Sequence, residues 1–306
     1  MNKNKVIAGS LACILSLGAA LGGTVTASAE NAYSISADSV VRNRSERVLS
    51  LNSIRSKRVG DYRGYSVSVR GTLLSVKALR INDSYYIPAR AAANAIGAAY
   101  SYDKSSGTSV MRLSGLTVSF TDGNYAVMAN DRPLFSMTPS VIMSDGRMYI
   151  PAEAFAKATG LSLSVGDGLT FSGSIRPLTH ASAFYREDEV FWLARIIQAE
   201  SGGESLLGKI AVGNVVMNRV RSASYPNTIY GVIFDRKYGV QFSPILNGTI
   251  YNTPSYASML AAKICLEGFD LSEGAFFFLC PELSSSSWIP NNREYLFSVG
   301  KHDFYK

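Results

Sequence analysis

One six-residue phrase occurs twice in this chain of 306 residues, and the spacing of its copies constrains the fold more than any other feature. Tyr86-Ile87-Pro88-Ala89-Arg90-Ala91 returns as Tyr149-Ile150-Pro151-Ala152-Glu153-Ala154, and the glycine that follows each copy, Gly97 or Gly160, keeps the same offset of 63 residues. In each copy a short strand reaches a proline suited to the first turn of a helix. The helix stops at glycine, and an alternating strand follows at 99–102 or 161–165. With further alternating runs at 109–113 and 116–120, residues 66–173 are expected to form a small two-repeat α+β module.

A second feature lies in the last third. Read as a helix, residues 187–200 put Val190, Leu193, Ala194 and Ile197 at the spacing of one buried face, and Glu200 continues that stripe. A carboxylate is thereby aimed inward, in the last turn before Ser201-Gly202-Gly203. Desolvation and the negative end of the helix dipole both disfavour its ionised form. Glycosidic cleavage needs such a group, because the leaving oxygen must be protonated as the bond breaks. The competing reading is a buried Glu neutralised by Arg195 or Arg219. Ser201 and Glu204 match a capping box for the next helix, 205–220, which is apolar on most sides. Gly208, Ala211 and Gly213 in it would admit a close neighbour, and Asn218 and Arg219 end it in polar groups suited to line a cleft or cap the last turn.

Residues 1–29 read as an export signal. Lys3 and Lys5 precede an apolar stretch at 6–21, and Ala27-Ser28-Ala29 supplies a small-residue cleavage pattern. The chain is therefore expected to be secreted, starting near Glu30, and losing those lysines lowers its formal charge from +7 to +5. A basic exported chain is drawn to polyanions such as a cell wall, while nothing in it forms an aromatic and basic nucleic-acid motif. No later run is apolar for long enough to span a membrane, so no stable membrane anchor is expected. Residues 30–65 form a basic polar linker, 174–183 a second linker, and 184–306 have the size of one compact domain. Cys265 and Cys280 could pair after export or remain buried thiols. With only His180 and His302, and no Cys/His ligand spacing, neither a zinc centre nor any other cofactor is expected.

Several ordered motifs then resemble the SleB-type cell wall hydrolases. They are Ala199-Glu200-Ser201-Gly202-Gly203-Glu204, the run 208–220, Tyr225-Pro226-Asn227-Thr228-Ile229, Gln241-Phe242-Ser243, residues 274–278, Trp288 and Gly300-Lys301-His302-Asp303-Phe304. The resemblance implies a compact, lysozyme-like, mainly helical domain with short strands, a peptidoglycan-cleaving activity of the kind used on spore cortex, and Glu200 as the catalytic glutamate. The expected substrate-binding residues are Glu204, Asn218, Arg219, Gln241, Phe242, Ser243 and Trp288. Gln241 and Ser243 could hold N-acetyl groups, and Phe242, Trp288 and Tyr238 could stack on sugars or pack in the core. Between the two glutamates this chain has Ser-Gly-Gly where the spore enzymes usually carry Ala-Arg-Gly, which leaves vegetative wall open as a substrate. Residues 66–173 resemble the copper amine oxidase N-terminal-like domain. They contain no Cys or His, so copper is not implied, and a wall-targeting or spacing role is expected.

Glu200 would protonate the oxygen between N-acetylmuramic acid and N-acetylglucosamine. Asp235, Asp270 and Glu273 lie in segments whose approach to it the sequence does not fix, so neither two-carboxylate scheme can be assigned. A one-glutamate lytic transglycosylase is the simplest fit, and a muramidase results if water attacks instead. The other readings are a cysteine peptidase using Cys265 or Cys280 with His302, an N-acetylmuramoyl-L-alanine amidase, and a non-catalytic wall-binding protein.

Overall fold

The computed structural model describes residues 41–42, 54, 56–81, 83–237, 239–284 and 287–306. The expected export signal, most of the basic linker and Tyr238 lie outside the described residues. Among those described, no helix is long and apolar enough to cross a membrane. The chain divides into two units, Val48–Phe184 and a second one that includes Tyr185–Lys306.

The first unit runs β1 (Gly64–Val69), β2 (Ala78–Ile81), β3 (Ser84–Pro88), α1 (Ala89–Ala95), β4 (Ala99–Asp103), β5 (Thr108–Leu113), β6 (Leu116–Thr121), β7 (Ala126–Ala129), β8 (Arg132–Phe135), β9 (Val141–Ile142), β10 (Met148–Pro151), α2 (Ala152–Thr159), β11 (Ser162–Val165) and β12 (Gly168–Ser172). One sheet has the antiparallel order β8-β7-β6-β5-β4. The other has the order β9-β10-β3-β2-β1-β12-β11, in which only β1 and β12 run parallel.

The duplication is visible in the strand pairing. β3 and β10 lie side by side with Ile87 opposite Ile150, Pro88 opposite Tyr149 and Tyr86 opposite Pro151. Ile87 and Ile150 are equivalent positions, and the pairs on either side are exchanged when the copies are exchanged, which is the self-complementary pattern of a two-fold contact. Pro88 and Pro151 sit at the N-caps, one position earlier than the first-turn placement expected from sequence. Gly97 and Gly160 follow the helices with φ of +73° and +72°, where a side chain would be strained. Alternation buries Tyr65, Val67 and Val69 of β1, which join Phe120, Phe155 and Phe171 in one core under both helices. The opposite face of the sheet holds Leu79, Ile81, Tyr86 and Tyr149, and the Tyr86 hydroxyl donates to Pro139 O at 3.0 Å. After the second copy, Arg176 N donates to Thr159 O at 2.8 Å and Leu178 N to Ala158 O at 3.3 Å. Ile175 and Leu178 thus cover the end of α2.

The second unit is built on α3 (Glu187–Ser201), α4 (Leu206–Arg221) and α5 (Tyr256–Leu266), with β13 (Phe277–Leu279), β14 (Tyr295–Val299) and β15 (His302–Tyr305). Its antiparallel sheet has the order Val41–Arg42, β14, β15, β13. Glu187, Asp188 and Glu189 place negative charge in the first turn of α3, where the helix dipole favours it. Leu193, Ala194, Ile196 and Ile197 are fully buried, and the three long helices pack on one another. A Cβ at Gly213 would lie 2.7 Å from Cys265 Sγ and 2.8 Å from Ile197 Cδ1, so the absence of a side chain sets how closely these helices approach. Cys265 and Cys280 are free and buried. Trp288 opens the short helix Trp288–Asn292. Both units are α+β, as expected, with the second mainly helical.

Candidate active site

The apolar stripe of α3 carries Glu200 to the helix end as anticipated: Val190, Leu193, Ala194, Ile197 and Glu200 are all buried. Glu200 is only 3% exposed, and its Oε1 has no hydrogen-bond partner. Burial pushes its pKa up to about 8, against the opposing pull of the Arg219 guanidinium. Of the two arginines considered as neutralising partners, Arg195 is engaged elsewhere, 4.1 Å over the Phe191 ring with one amino group donating to Ile250 O at 3.5 Å. Arg219 is the cation that acts on the carboxyl, and desolvation outweighs it. Arg219 is itself buried. Its Nε donates to Phe276 O at 2.9 Å, while the rings of Phe242, Tyr225 and Phe277 lie 5.2, 5.3 and 5.5 Å from its guanidinium.

The turn after Glu200 differs from the capping box expected there. Ser201 belongs to α3, and its Oγ donates to Ile197 O at 2.7 Å. The N-cap of α4 is Ser205, whose Oγ accepts from Gly208 N at 3.3 Å. Gly202 and Gly203 carry the chain through a turn before the second helix starts, so the later serine reaches the free amides. Glu204, relieved of capping, turns towards the hairpin between β14 and β15. Its Oε2 accepts from Lys301 N at 3.4 Å, and a Cβ at Gly300, where φ is +58°, would overlap that oxygen. His302 Nδ1 lies 3.8 Å from Glu204 Oε1, longer than a hydrogen bond. Burial lowers the His302 pKa against the pull of Glu204 and Asp303, so this is not an ion pair near neutral pH.

Sequence reasoning gave Lys209 no role. It is 3% exposed, and its ammonium donates to Ser201 O at 3.0 Å, Gly202 O at 2.9 Å and Glu204 O. These are the carbonyls at the end of α3 and in the turn, the acceptors a helix terminus leaves open. Lys209 therefore fixes the segment that carries Glu200. The available signal was a lone lysine in a helix that is otherwise apolar on most sides. Gln198 ties α3 to the start of α5, accepting from Ser255 N at 3.0 Å and Ser258 Oγ at 2.9 Å.

The residues expected to bind substrate fall into two groups. Asn218 and Phe242 are buried: Asn218 Nδ2 donates to Ser272 Oγ at 2.8 Å and Ala275 O at 3.0 Å, and Phe242 is 1% exposed beneath Arg219. With Arg219 they pack behind the site, Phe242 in the core and Asn218 bonded to the 272–275 segment. Gln241, Ser243 and Trp288 are half-buried. Trp288 reaches the cluster indirectly, since Arg293 lies 5.1 Å from its ring and 4.5 Å from that of Phe277. An aromatic surface that sequence did not single out surrounds Trp192, with Phe191, Tyr230, Phe234 and Tyr251 5.2 to 6.4 Å away. Tyr230 and Tyr251 there are more than half exposed.

Asp235 and Asp270 spend their carboxylates on local turns, accepting from Lys237 N at 2.9 Å and Ser272 N at 2.7 Å. Cys265 lies in the helix packing, its Sγ donating to Ile210 O at 3.4 Å, and burial pushes its pKa up, the opposite of what a thiol nucleophile needs.

Residues 68–168 match the Copper amine oxidase N-terminal domain family, and 203–305 match the Cell Wall Hydrolase family. The Cell wall hydrolase CwlJ of Oceanobacillus iheyensis is 30% identical over 115 residues, which make up 34% of this chain and 80% of that protein. This chain belongs to the cell wall hydrolase family. The hydrolase unit is also similar to the spore cortex-lytic enzyme of Bacillus cereus, 36% identical over 122 residues, or 40% of this chain and 46% of the relative. The chain therefore spans about half the length of that relative. Among solved structures, the catalytic domain of the germination-specific lytic transglycosylase SleB from Bacillus anthracis is 36% identical, covering 40% of this hydrolase and 97% of that domain with a TM-score of 0.37. The family match begins at residue 203, just after Glu200.

Proposed function

We propose that this chain cleaves the glycan strand of peptidoglycan between N-acetylmuramic acid and N-acetylglucosamine as a lytic transglycosylase, in spore cortex degradation at germination or in wall remodelling. The observation that carries this reading is the burial of Glu200, which keeps its proton to about pH 8. Glu200 donates that proton to the glycosidic oxygen as the bond from muramic C1 breaks. Its carboxylate then takes the proton of the muramoyl 6-hydroxyl while O6 bonds to C1, closing a 1,6-anhydro ring and restoring the acid. Arg219 steadies the transient carboxylate, and Lys209 holds the helix end that aims it. The half-buried Gln241, Ser243 and Trp288, with the Trp192 surface, offer polar and aromatic contacts to the sugars. The names of the relatives support the substrate class.

The test is mass spectrometry of fragments released from purified cortex and vegetative peptidoglycan by the chain and by Glu200→Gln. Anhydromuropeptides that vanish in the variant are expected. Reducing-end muropeptides would make the enzyme a muramidase, and free peptides would make it an amidase. No release from either sacculus would sink the catalytic reading.

A further inference from the structure

A cavity of about 230 Å³ opens in the repeat module, just below the usual range of small-molecule pockets and suited to one ring-sized ligand. Arg90, Asn94, Tyr100 and Tyr102 line it from α1 and β4, and Arg147 and Met148 line it from the 142–148 segment. The duplication supplies an internal control. At the same offset of 63 residues, Arg90, Asn94, Tyr100 and Tyr102 become Glu153, Lys157, Leu163 and Val165. The strand, proline, helix and glycine that build the scaffold are kept, while the side chains facing the cavity change in chemical kind. The matching end of α2 is also covered. A Cβ on Gly160 would overlap the Arg176 carbonyl, whereas one on Gly97 would meet nothing within 4 Å. The open copy is thus the one with polar and aromatic lining.

We infer that this cavity binds a single N-acetylated amino sugar bearing a carboxylate. The choice among sugars rests on the peptidoglycan reading above. Arg90 is exposed and stands 4.7 Å over the Tyr100 ring with no carboxylate partner among the described residues, so its fork is open to an incoming anion. Arg147 has part of its charge met by Asp145 at 2.9 Å and serves the cavity as a weaker cation. Tyr102 is 41% exposed and offers a ring face to the sugar C–H groups. The exposed carboxamide of Asn94 matches an acetamido group in both donor and acceptor. A neutral sugar would leave Arg90 unused, and a bare anion would leave Tyr102 and Asn94 unused.

The experiment is an NMR titration of the isotope-labelled full chain with N-acetylmuramic acid, N-acetylglucosamine and glycerol phosphate, repeated on variants that install the residues of the second copy, Arg90→Glu and Tyr102→Val. Both positions are exposed, so unchanged spectra elsewhere establish that the variants fold. Shifts confined to 90–102 and 142–148, at least about tenfold tighter for N-acetylmuramic acid than for N-acetylglucosamine, are expected. Arg90→Glu should weaken binding about tenfold or more, and Glu200→Gln should leave it unchanged. Equal affinity for both sugars, insensitivity to the two variants, or no shift at these residues would overturn the inference. Stronger binding of glycerol phosphate would replace the sugar with an anionic wall polymer. Fragment release reports on Glu200 and this titration on the module, so either reading can fail alone.

Discussion

The two units bury polar chemistry on different terms. Among the described residues of the repeat module, Arg132 is the one buried acidic or basic side chain, beside Ser109, Thr138, Ser140 and Thr159. Even that guanidinium is engaged, donating to Thr179 Oγ1 at 3.1 Å and lying 3.3 Å from the Phe184 ring. The hydrolase unit buries Glu200, Lys209, Arg219 and His302, and leaves polar atoms of three of them, Glu200, Arg219 and His302, without hydrogen bonds. An uncompensated buried ionisable group costs several kcal/mol, so a fold keeps such groups where they act on something. The difference teaches where functional chemistry is to be sought: the module turns nearly all its charged groups outward, and the hydrolase core holds several ionisable groups inward.

The largest effect expected is on turnover. Glu200→Gln should lower fragment release by about 10² to 10⁴-fold without unfolding the chain, read by muropeptide yield beside circular dichroism. Full activity in that variant would make Glu200 an ordinary buried residue and erase the contrast between the units. Lys209→Met comes next, at about 3 kcal/mol of lost stability in urea denaturation, because three carbonyls lose their donor. A neutral outcome would mean that the turn is held by other contacts. Gly300→Ala should cost about 2 kcal/mol, since its φ is left-handed and the new methyl meets Glu204.

The pH dependence sharpens the same comparison. Glu200 has a folded pKa raised from 4.5 to about 8, so the folded state keeps a proton that the unfolded chain releases. Stability linked to this group therefore falls as pH rises from about 4.5 to about 8, by up to ~1.4 kcal/mol per pH unit. Glu200→Gln should flatten that slope in denaturation curves, and activity dependent on the acid should decline above about pH 8. The smallest effect is on the thiols. Alkylating reagents should leave Cys265 and Cys280 unmodified and activity unchanged in the folded chain, and inactivation by them would revive the cysteine peptidase reading.

Glu200 and the duplicated module were legible because periodicity is a local property: the stripe of α3 and the 63-residue offset are written in the order of residues. What escaped was set by packing between segments. Ser201 and Ser205 both precede a helix, and only the path through Gly202 and Gly203 decides which one caps it. Phe242 could be read as core or as sugar platform, because nothing in its neighbours in sequence reveals that Arg219 lies over its ring. Lys209 has no role legible in α4 alone, because the carbonyls it meets belong to the end of α3 and the turn after it.

The pairing of Ile87 with Ile150 bears on how such a module can be divided. Each copy supplies one of the two adjacent strands that complete each other, so a chain cut between the copies would leave β3 with an unpaired edge. Two half-modules have in that edge the means to exchange partners and rebuild the seam between separate molecules. Covalent continuity keeps the match within one polypeptide, and a cut between the copies trades folding alone for concentration-dependent assembly.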